Sequence, residues 1–263
     1  GIRTLMENEP LTVRLAGGVA TLTFNRPGKK NAITHAMWLD IAARLERLGA
    51  APATRAIVLA GSGADFSAGA DIAEFDTLRG DGQSARRYEE ANSAAFAAVR
   101  DALVPVIAAI RGICFGGGFG LAAAADLRIA SVDARFAVPA ARLGLAYPVD
   151  AMIDIVTSAG AQLANYLTFS AATIDADAAL AAGFLLEIAG DPDRRAHEIA
   201  ASIAANAPLS VRASKAAIRA KLTGNAADVA PATAAGDATF DSADYAEGRA
   251  AFRARRQPKF SGS

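Results

Sequence analysis

The chain predicts an α/β fold, a core of alternating strands and helices followed by a helical C-terminal region. Short apolar runs with strand-like patterning alternate with amphipathic stretches along the first part of the chain. Two glycine-rich turns each follow a strand and precede a helix. From Asp150 onwards helical patterns dominate. These observations divide the chain near residue 195, into a core over 1–195 and a helical region over 196–263.

The elements follow in order. Residues 11–15 and 19–24 alternate apolar with small or polar side chains around Gly17-Gly18, a hairpin signal. Apolar residues at Met37, Ile41, Leu45 and Leu48 fall at helical spacing, so 34–48 is a helix. Residues 55–60 read as a strand. Gly61-Ser62-Gly63 opens a loop reaching Asp71, which is placed to cap a short helix just beyond it. Residues 84–103 form a long helix stopped by Pro105, and 106–110 a strand. The glycine-dense segment 112–120 leads into a helix at 121–125, then strands at 126–130 and 135–138. A helix starts at Asp175 and ends at Gly183, with a brief strand at 184–188. Residues 192–206, 208–222 and 232–255 are helical, the last as one continuous helix.

Composition narrows the function. The chain has 27 basic and 27 acidic residues, so nucleic acid is not expected as a partner. Arg253, Arg255, Arg256 and Lys259 form a short C-terminal basic cluster that can meet a few phosphates on a small molecule. One cysteine, Cys114, allows no intrachain disulfide and suits a reducing, cytoplasmic setting. With two histidines, His35 and His197, no metal centre is expected; both sit in polar helical stretches and are read as solvent-facing. Residues 1–10 lack the apolar core of a signal peptide, and the apolar runs are too short to span a membrane.

The two glycine turns carry the chemistry. The first runs Gly61-Ser-Gly-Ala-Asp-Phe-Ser-Ala-Gly-Ala-Asp-Ile72, the second Arg111-Gly-Ile-Cys-Phe-Gly-Gly-Gly-Phe-Gly-Leu121. Neither has nucleotide-loop spacing. Glycine permits close backbone approach, and free N–H groups at a helix start favour negative charge. Two such amides converging on one point bind a developing oxyanion. As plain strand-to-helix connections, the same turns would carry no chemistry.

Several blocks in order resemble the enoyl-CoA hydratase/isomerase (crotonase) superfamily. They are Asn25-Arg26-Pro27 with Asn31-Ala32, then Phe66-Ser-Ala-Gly-Ala-Asp-Ile72, Gly116-Gly-Gly118, Ala125-Asp-Leu-Arg-Ile-Ala-Ser131 and Leu143-Gly-Leu145. The tail 247–256 is also similar. The resemblance implies a spiral of ββα units with a helical C-terminal trimerisation region, assembling homotrimers or homohexamers. It implies an acyl-CoA substrate, with coenzyme A as part of that substrate and no separate cofactor. The thioester oxygen would meet the amides of Ala70 and Gly117. Arg26, Lys29, Ala68, Asp71, Ile72, Gly116, Phe252 and Arg255 fall at positions around the substrate, the last two sometimes across a subunit boundary. Ala73 stands where the family often has lysine.

Two departures matter. The family's hydratases carry one catalytic glutamate at the position of Gly120 and a second at that of Ala140. Neither residue present can transfer a proton, so two-glutamate hydration is not expected. Asp150 is the speculative replacement acid or base, and otherwise a helix cap. Tyr88, Glu89 and Glu90 lie on the helix bordering the acyl pocket and read as a solvated face. Asp154 reads as surface or interface, Asp126 as structural, Cys114 and Trp38 as packed core. The alternatives are a divergent isomerase, decarboxylase or thioester hydrolase, or a subunit that binds acyl-CoA without turnover.

Overall fold

The computed structural model describes residues 9–263. The expectation about a leader at residues 1–10 therefore falls almost wholly outside the described residues.

Strands β1 (Leu11–Ala16) and β2 (Val19–Phe24) form the predicted antiparallel hairpin. Gly17 and Gly18 turn it at φ +57° and +81°, values suited to a primed turn. Helix α1 (His35–Ala50) starts where the Thr34 hydroxyl accepts from the Met37 amide at 3.2 Å. β3 (Ala56–Gly61), the single-turn α2 (Phe75–Leu78) and α3 (Gly82–Arg100) follow. A reciprocal Asp81–Ser84 capping box begins α3. Then come β4 (Val106–Ile110), β5 (Ile113–Phe115), α4 (Gly117–Ala124), β6 (Leu127–Ala130) and β7 (Arg135–Ala137). The chain continues through α5 (Val149–Ser170), β8 (Thr173–Asp175), α6 (Ala176–Ala181) and β9 (Glu187–Ile188). It ends with α7 (Pro192–Ala204), α8 (Pro208–Thr223), α9 (Ala226–Ala238) and α10 (Ala243–Ala254).

One sheet has the order β1-β2-β3-β4-β6-β9, parallel except at the hairpin; a second has the order β5-β7-β8. β3 and β4 are apolar without alternation because both faces are covered. On one face Leu22, Ile57 and Leu59 pack with Trp38, Ile41 and Phe96 of α1 and α3. On the other, Val58, Ile107 and Ile129 pack against Ala196, Ala200 and Ala204 of α7. The division near residue 195 thus falls inside a helix that closes the sheet.

Three further expectations change. The helix over 232–255 is two: α9 begins earlier and runs through Pro231, while the Ser242 hydroxyl accepts from the Tyr245 amide at 3.0 Å and starts α10 afresh. His197 does not face solvent. Its Nε2 lies 2.8 Å from the Thr21 hydroxyl and its Nδ1 2.7 Å from the Asp193 carbonyl, pinning α7 to β2. Asp154 is buried, not superficial: the Arg100 guanidinium donates to both its oxygens at 2.7 Å, tying α3 to α5.

Candidate functional site

The first glycine turn is held by side chains that the sequence places in fixed order. Asn31 is buried at φ +52°, a conformation asparagine tolerates. Its Oδ1 accepts from the Arg26 amide at 2.9 Å, and its Nδ2 donates to the Ser62 and Asp65 carbonyls at 2.9 and 2.7 Å. The Ser67 hydroxyl donates to the Asn31 carbonyl and accepts from the Gly69 amide, at 2.8 and 3.0 Å. The Ile33 amide donates to the Gly69 carbonyl and the Asp71 amide to the Ile33 carbonyl. In this parallel bridge the intervening Ala70 N–H points away from Ile33.

The second turn runs from β5 into α4. Gly117 is the first helical residue, so its N–H has no intrahelical acceptor. At the other end Arg128 donates to the Ala125 carbonyl at 2.6 Å and the Ala122 carbonyl at 3.2 Å, stabilising the negative end of the helix. Burial lowers the Arg128 pKa to about 10, so it remains charged at neutral pH.

The two turns touch. Gly69 sits at φ +88°, and a Cβ there would lie 2.7 Å from the Phe115 carbonyl oxygen and 3.0 Å from the Gly117 nitrogen. A Cβ on Gly117 would lie 2.6 Å from the Trp38 ring and 3.9 Å from the Ala70 nitrogen. Only glycine at 69 allows this approach. The Ala70 and Gly117 amides are thus neighbours without a protein acceptor among the described residues. A pair of this kind can donate to one oxygen.

Ala70 and Gly117 both line a cavity of ≈ 150 Å³. Ala68, Ile72 and Gly116 line it. So does Ala140, whose methyl group stands beside Pro139 without any ionisable function. Three residues of one α3 face, Glu89, Asn92 and Phe96, form another side, with Tyr147 next to them. Among the described residues, Glu89 is the only carboxylate lining the cavity. The Asn92 Oδ1 is buried without a hydrogen-bond partner.

The wall facing Gly120 is aromatic. Tyr147 stacks on Phe96 with centroids 6.1 Å apart, and Phe96 meets Trp38 edge-on at 5.6 Å. A Cβ at Gly120 would collide with the Tyr147 hydroxyl and lie 2.7 Å from the Phe96 ring. The Tyr147 hydroxyl has only a long contact, donating to the Gly116 carbonyl at 3.4 Å. Burial pushes its pKa upward, so it stays protonated and is a donor rather than a base.

Other predicted residues lie elsewhere. Asp150 is exposed in the first turn of α5, does not line this cavity, and is not the cap, a position held by Pro148. Arg26 is half-buried and engaged: it donates to the Ala32 carbonyl at 2.7 Å and to Asp71 at 2.9 Å. Asp71 also caps the following turn through the Ala73 amide. Desolvation would raise the Asp71 pKa, but the Arg26 and Ala73 hydrogen bonds and the Arg26 charge outweigh it and hold it low. Lys29 is exposed in the 3-10 turn Pro27–Lys29. Phe252 and Arg255 are exposed at the end of α10 and do not line the cavity within this chain. Arg256 of the basic cluster is paired with Glu247; that hydrogen bond, with the Lys259 amide, brings the carboxyl to about 2.

Tyr88 and His35 depart from the solvated reading. Tyr88 is buried, donates to the Ile33 carbonyl at 3.4 Å, and burial raises its pKa to about 12. His35 is half-buried with its ring 5.5 Å from that of Tyr88. Glu90 is exposed as expected. Cys114 is fully buried and burial pushes its thiol up, so it is no nucleophile. No group of metal-ligating side chains occurs among the described residues, and none of their helices is long and apolar enough to cross a membrane.

Sequence reading missed Arg79, Asn92, Phe96 and Tyr147. The α3 trio was signalled by its spacing, since 89, 92 and 96 share one helical face. Nothing local signals Tyr147. A second cavity of ≈ 800 Å³, between α5, α8 and residues 123–128, contains none of the predicted site residues.

Comparison with known proteins shows the family of the chain. A probable enoyl-CoA hydratase of Mycobacterium tuberculosis is 33% identical over 225 residues, covering 86% of this chain and 87% of that protein. A (7aS)-7a-methyl-1,5-dioxo-2,3,5,6,7,7a-hexahydro-1H-indene-carboxyl-CoA hydrolase of the same organism is 36% identical over 206 residues, covering 76% and 80%. The crystal structure of a putative enoyl-CoA hydratase/isomerase family protein from Hyphomonas neptunium superposes with a TM-score of 0.91 at 32% identity, covering 97% of this chain and 98% of that one. Residues 14–263 match the enoyl-CoA hydratase/isomerase family profile, and the chain belongs to that family.

Proposed function

We propose that this chain is an acyl-CoA enzyme that binds the thioester carbonyl between the amides of Ala70 and Gly117 and works through an enolate. The observation that carries this reading is the pair of neighbouring, unpartnered amides of two residues that line one cavity. The relatives support the substrate class, since one is named a hydratase and another a hydrolase of CoA thioesters. An oxyanion on the thioester oxygen is common ground for such reactions, as an enolate when a proton moves at the α-carbon and as a tetrahedral intermediate when water adds to the carbonyl.

The acid–base side limits the reaction. Positions 120 and 140 carry no carboxylate, and the space beside Gly120 is filled by Tyr147 and Phe96. Glu89 is the carboxylate at hand. With one carboxylate, the reaction needing nothing further is a double-bond shift. Glu89 takes a proton from the α-carbon of a 3-enoyl thioester, the electron pair delocalises onto the thioester oxygen, and the proton returns at the γ-carbon. The 2-enoyl thioester forms and Glu89 is regenerated. Hydration needs a second group to handle water.

Calorimetry with butyryl-CoA and its thioether analogue S-butyl-CoA tests the amide pair. Two added hydrogen bonds at about 1 kcal/mol each predict roughly 30-fold tighter binding of the thioester. Equal affinities would remove the oxyanion reading. Conversion of 3-hexenoyl-CoA to the conjugated 2-enoyl thioester, followed by absorbance, tests the reaction. Binding without conversion would instead favour a subunit that holds acyl-CoA without turnover, and crotonyl-CoA hydration at the same site would overturn the single-carboxylate scheme.

A further inference from the structure

We infer that the cavity selects acyl groups ending in a carboxylate, with Arg79 as the residue that recognises it. The inference rests on the acyl-CoA reading above. Arg79 follows α2 and lines the same cavity as Ala70 and Gly117. Its guanidinium carbon lies 4.7 Å from the centre of the Phe75 ring and 5.0 Å from that of Tyr88. Two aromatic faces therefore hold a planar cation in place, which lowers the entropy lost when it binds an anion.

The guanidinium has no carboxylate partner among the described residues, although three acidic residues stand nearby. Glu74 is occupied by the His35 amide at 2.8 Å. Asp76 is exposed and forms no ion pair with Arg79, and neither does Glu89, which shares the cavity. Three other half-buried arginines have carboxylate partners, Arg26 with Asp71, Arg100 with Asp154 and Arg44 with Asp40; Arg212 has none among the described residues but does not line this cavity. A partly buried, fixed and unpaired guanidinium in a ligand cavity is a site for a carboxylate or phosphate, which it can grip with two parallel N–H donors. A carboxylate entering beside Glu89 alone would be repelled; Arg79 offsets that charge.

The anion has two possible sources, the acyl end or the coenzyme's phosphates. Arg79 shares the cavity that holds the thioester amides and the Glu89 face, so we assign it to the acyl end. Glutaryl-CoA and pentanoyl-CoA, of equal chain length, are the probes for calorimetry against the full chain. Glutaryl-CoA is expected to bind at least 10-fold more tightly. Arg79→Met, which keeps the aliphatic stem on the rings, is expected to erase that preference and to leave pentanoyl-CoA affinity within about 3-fold. The same preference is expected with the N-acetylcysteamine thioesters, which lack phosphates. Equal binding of the two CoA thioesters overturns this inference alone. A preference that survives Arg79→Met overturns it too, as does an equal loss for both thioesters and for coenzyme A itself, which would place Arg79 on the phosphates. Failure of every thioester to bind overturns the acyl-CoA reading, and this inference with it. Circular dichroism and the unchanged pentanoyl-CoA affinity show that the variant is folded.

Discussion

The cavity has one wall made of backbone and another made of side chains. The backbone wall is the junction of two glycine turns at Ala70 and Gly117, where the donors are amides and the side chains are kept out of the way. The side-chain wall is Glu89, Asn92, Phe96 and Tyr147. The first wall is the one the proposed function uses to bind the thioester oxygen. In the second, positions 120 and 140 are glycine and alanine, and aromatic rings occupy the space beside Gly120. Under the function proposed above, the difference teaches that stabilising an oxyanion and moving a proton are tasks of separate parts of the site. A backbone donor survives any substitution that keeps the turn, whereas a carboxylate is lost by one.

The strongest way to break this comparison is at Glu89. Glu89→Gln is expected to lower 3-enoyl-CoA isomerisation by roughly 10²–10⁴-fold, the usual contribution of a positioned acid or base. Binding of butyryl-CoA should stay within about 3-fold, because the amide wall is untouched. Steady-state turnover retained at the wild-type rate would remove Glu89 from the scheme.

The backbone wall is probed next by Gly69→Ala. The new methyl group meets a carbonyl oxygen and an amide nitrogen, neither of which can swing aside, at φ +88°. Strain and overpacking together predict a loss of about 2–4 kcal/mol, read from urea unfolding, and weakened discrimination between thioester and thioether. A variant as stable as the parent would show that the two turns can separate at no cost.

Gly120→Ala examines the side-chain wall. Its methyl group collides with the Tyr147 hydroxyl and the Phe96 ring, predicting about 1–3 kcal/mol of destabilisation. Combined with Tyr147→Ala, the two losses should sum to less than additive by about 1 kcal/mol, since the second change vacates the space the first requires. Strict additivity would mean that the collision is relieved elsewhere. Gly120→Glu by itself is accordingly not a fair test of restored hydration, and has to be built with Tyr147 shortened.

The smallest effect concerns the support of the first turn. Arg26→Gln removes the ion pair to Asp71, worth about 1 kcal/mol or less because both groups retain some solvent contact. Asp71 has a depressed folded-state pKa, so the pair stabilises the fold above the ordinary value of 3.8 and that stability is lost as the pH falls further. The gap between wild type and variant, followed by thermal melts, should narrow below that pH. A gap that widened on acidification would assign the depressed carboxyl to another cause.

Much of this was legible from local pattern. The hairpin, the buried strands, the caps at Thr34, Asp71 and Asp175 and the glycines of both turns are decided within a few residues, because turn geometry, capping and periodicity are short-range. Asn31 and Arg26 stood in their motif, but that they brace the first turn from inside appears only in the folded chain. Asp154, read as surface or interface, and His197, read as solvent-facing, became a buried ion pair and a helix-to-sheet contact through partners distant in sequence. Phe252 and Arg255 lie away from the cavity within one chain for the same reason, that α10 packs elsewhere.

The sequence by itself determined where the chain can bring two backbone amides together, since Gly69 and Gly117 are the residues whose missing side chains allow it. It also determined that positions 120 and 140 carry no ionisable side chain. Only the tertiary structure decided what surrounds them. Tyr147 fills the space beside Gly120, Glu89 and Asn92 share the cavity, and Arg79 lies against Phe75 and Tyr88 with no ion-pair partner among the described residues. Those facts depend on which distant side chains meet, and long-range packing leaves no periodic trace in the chain.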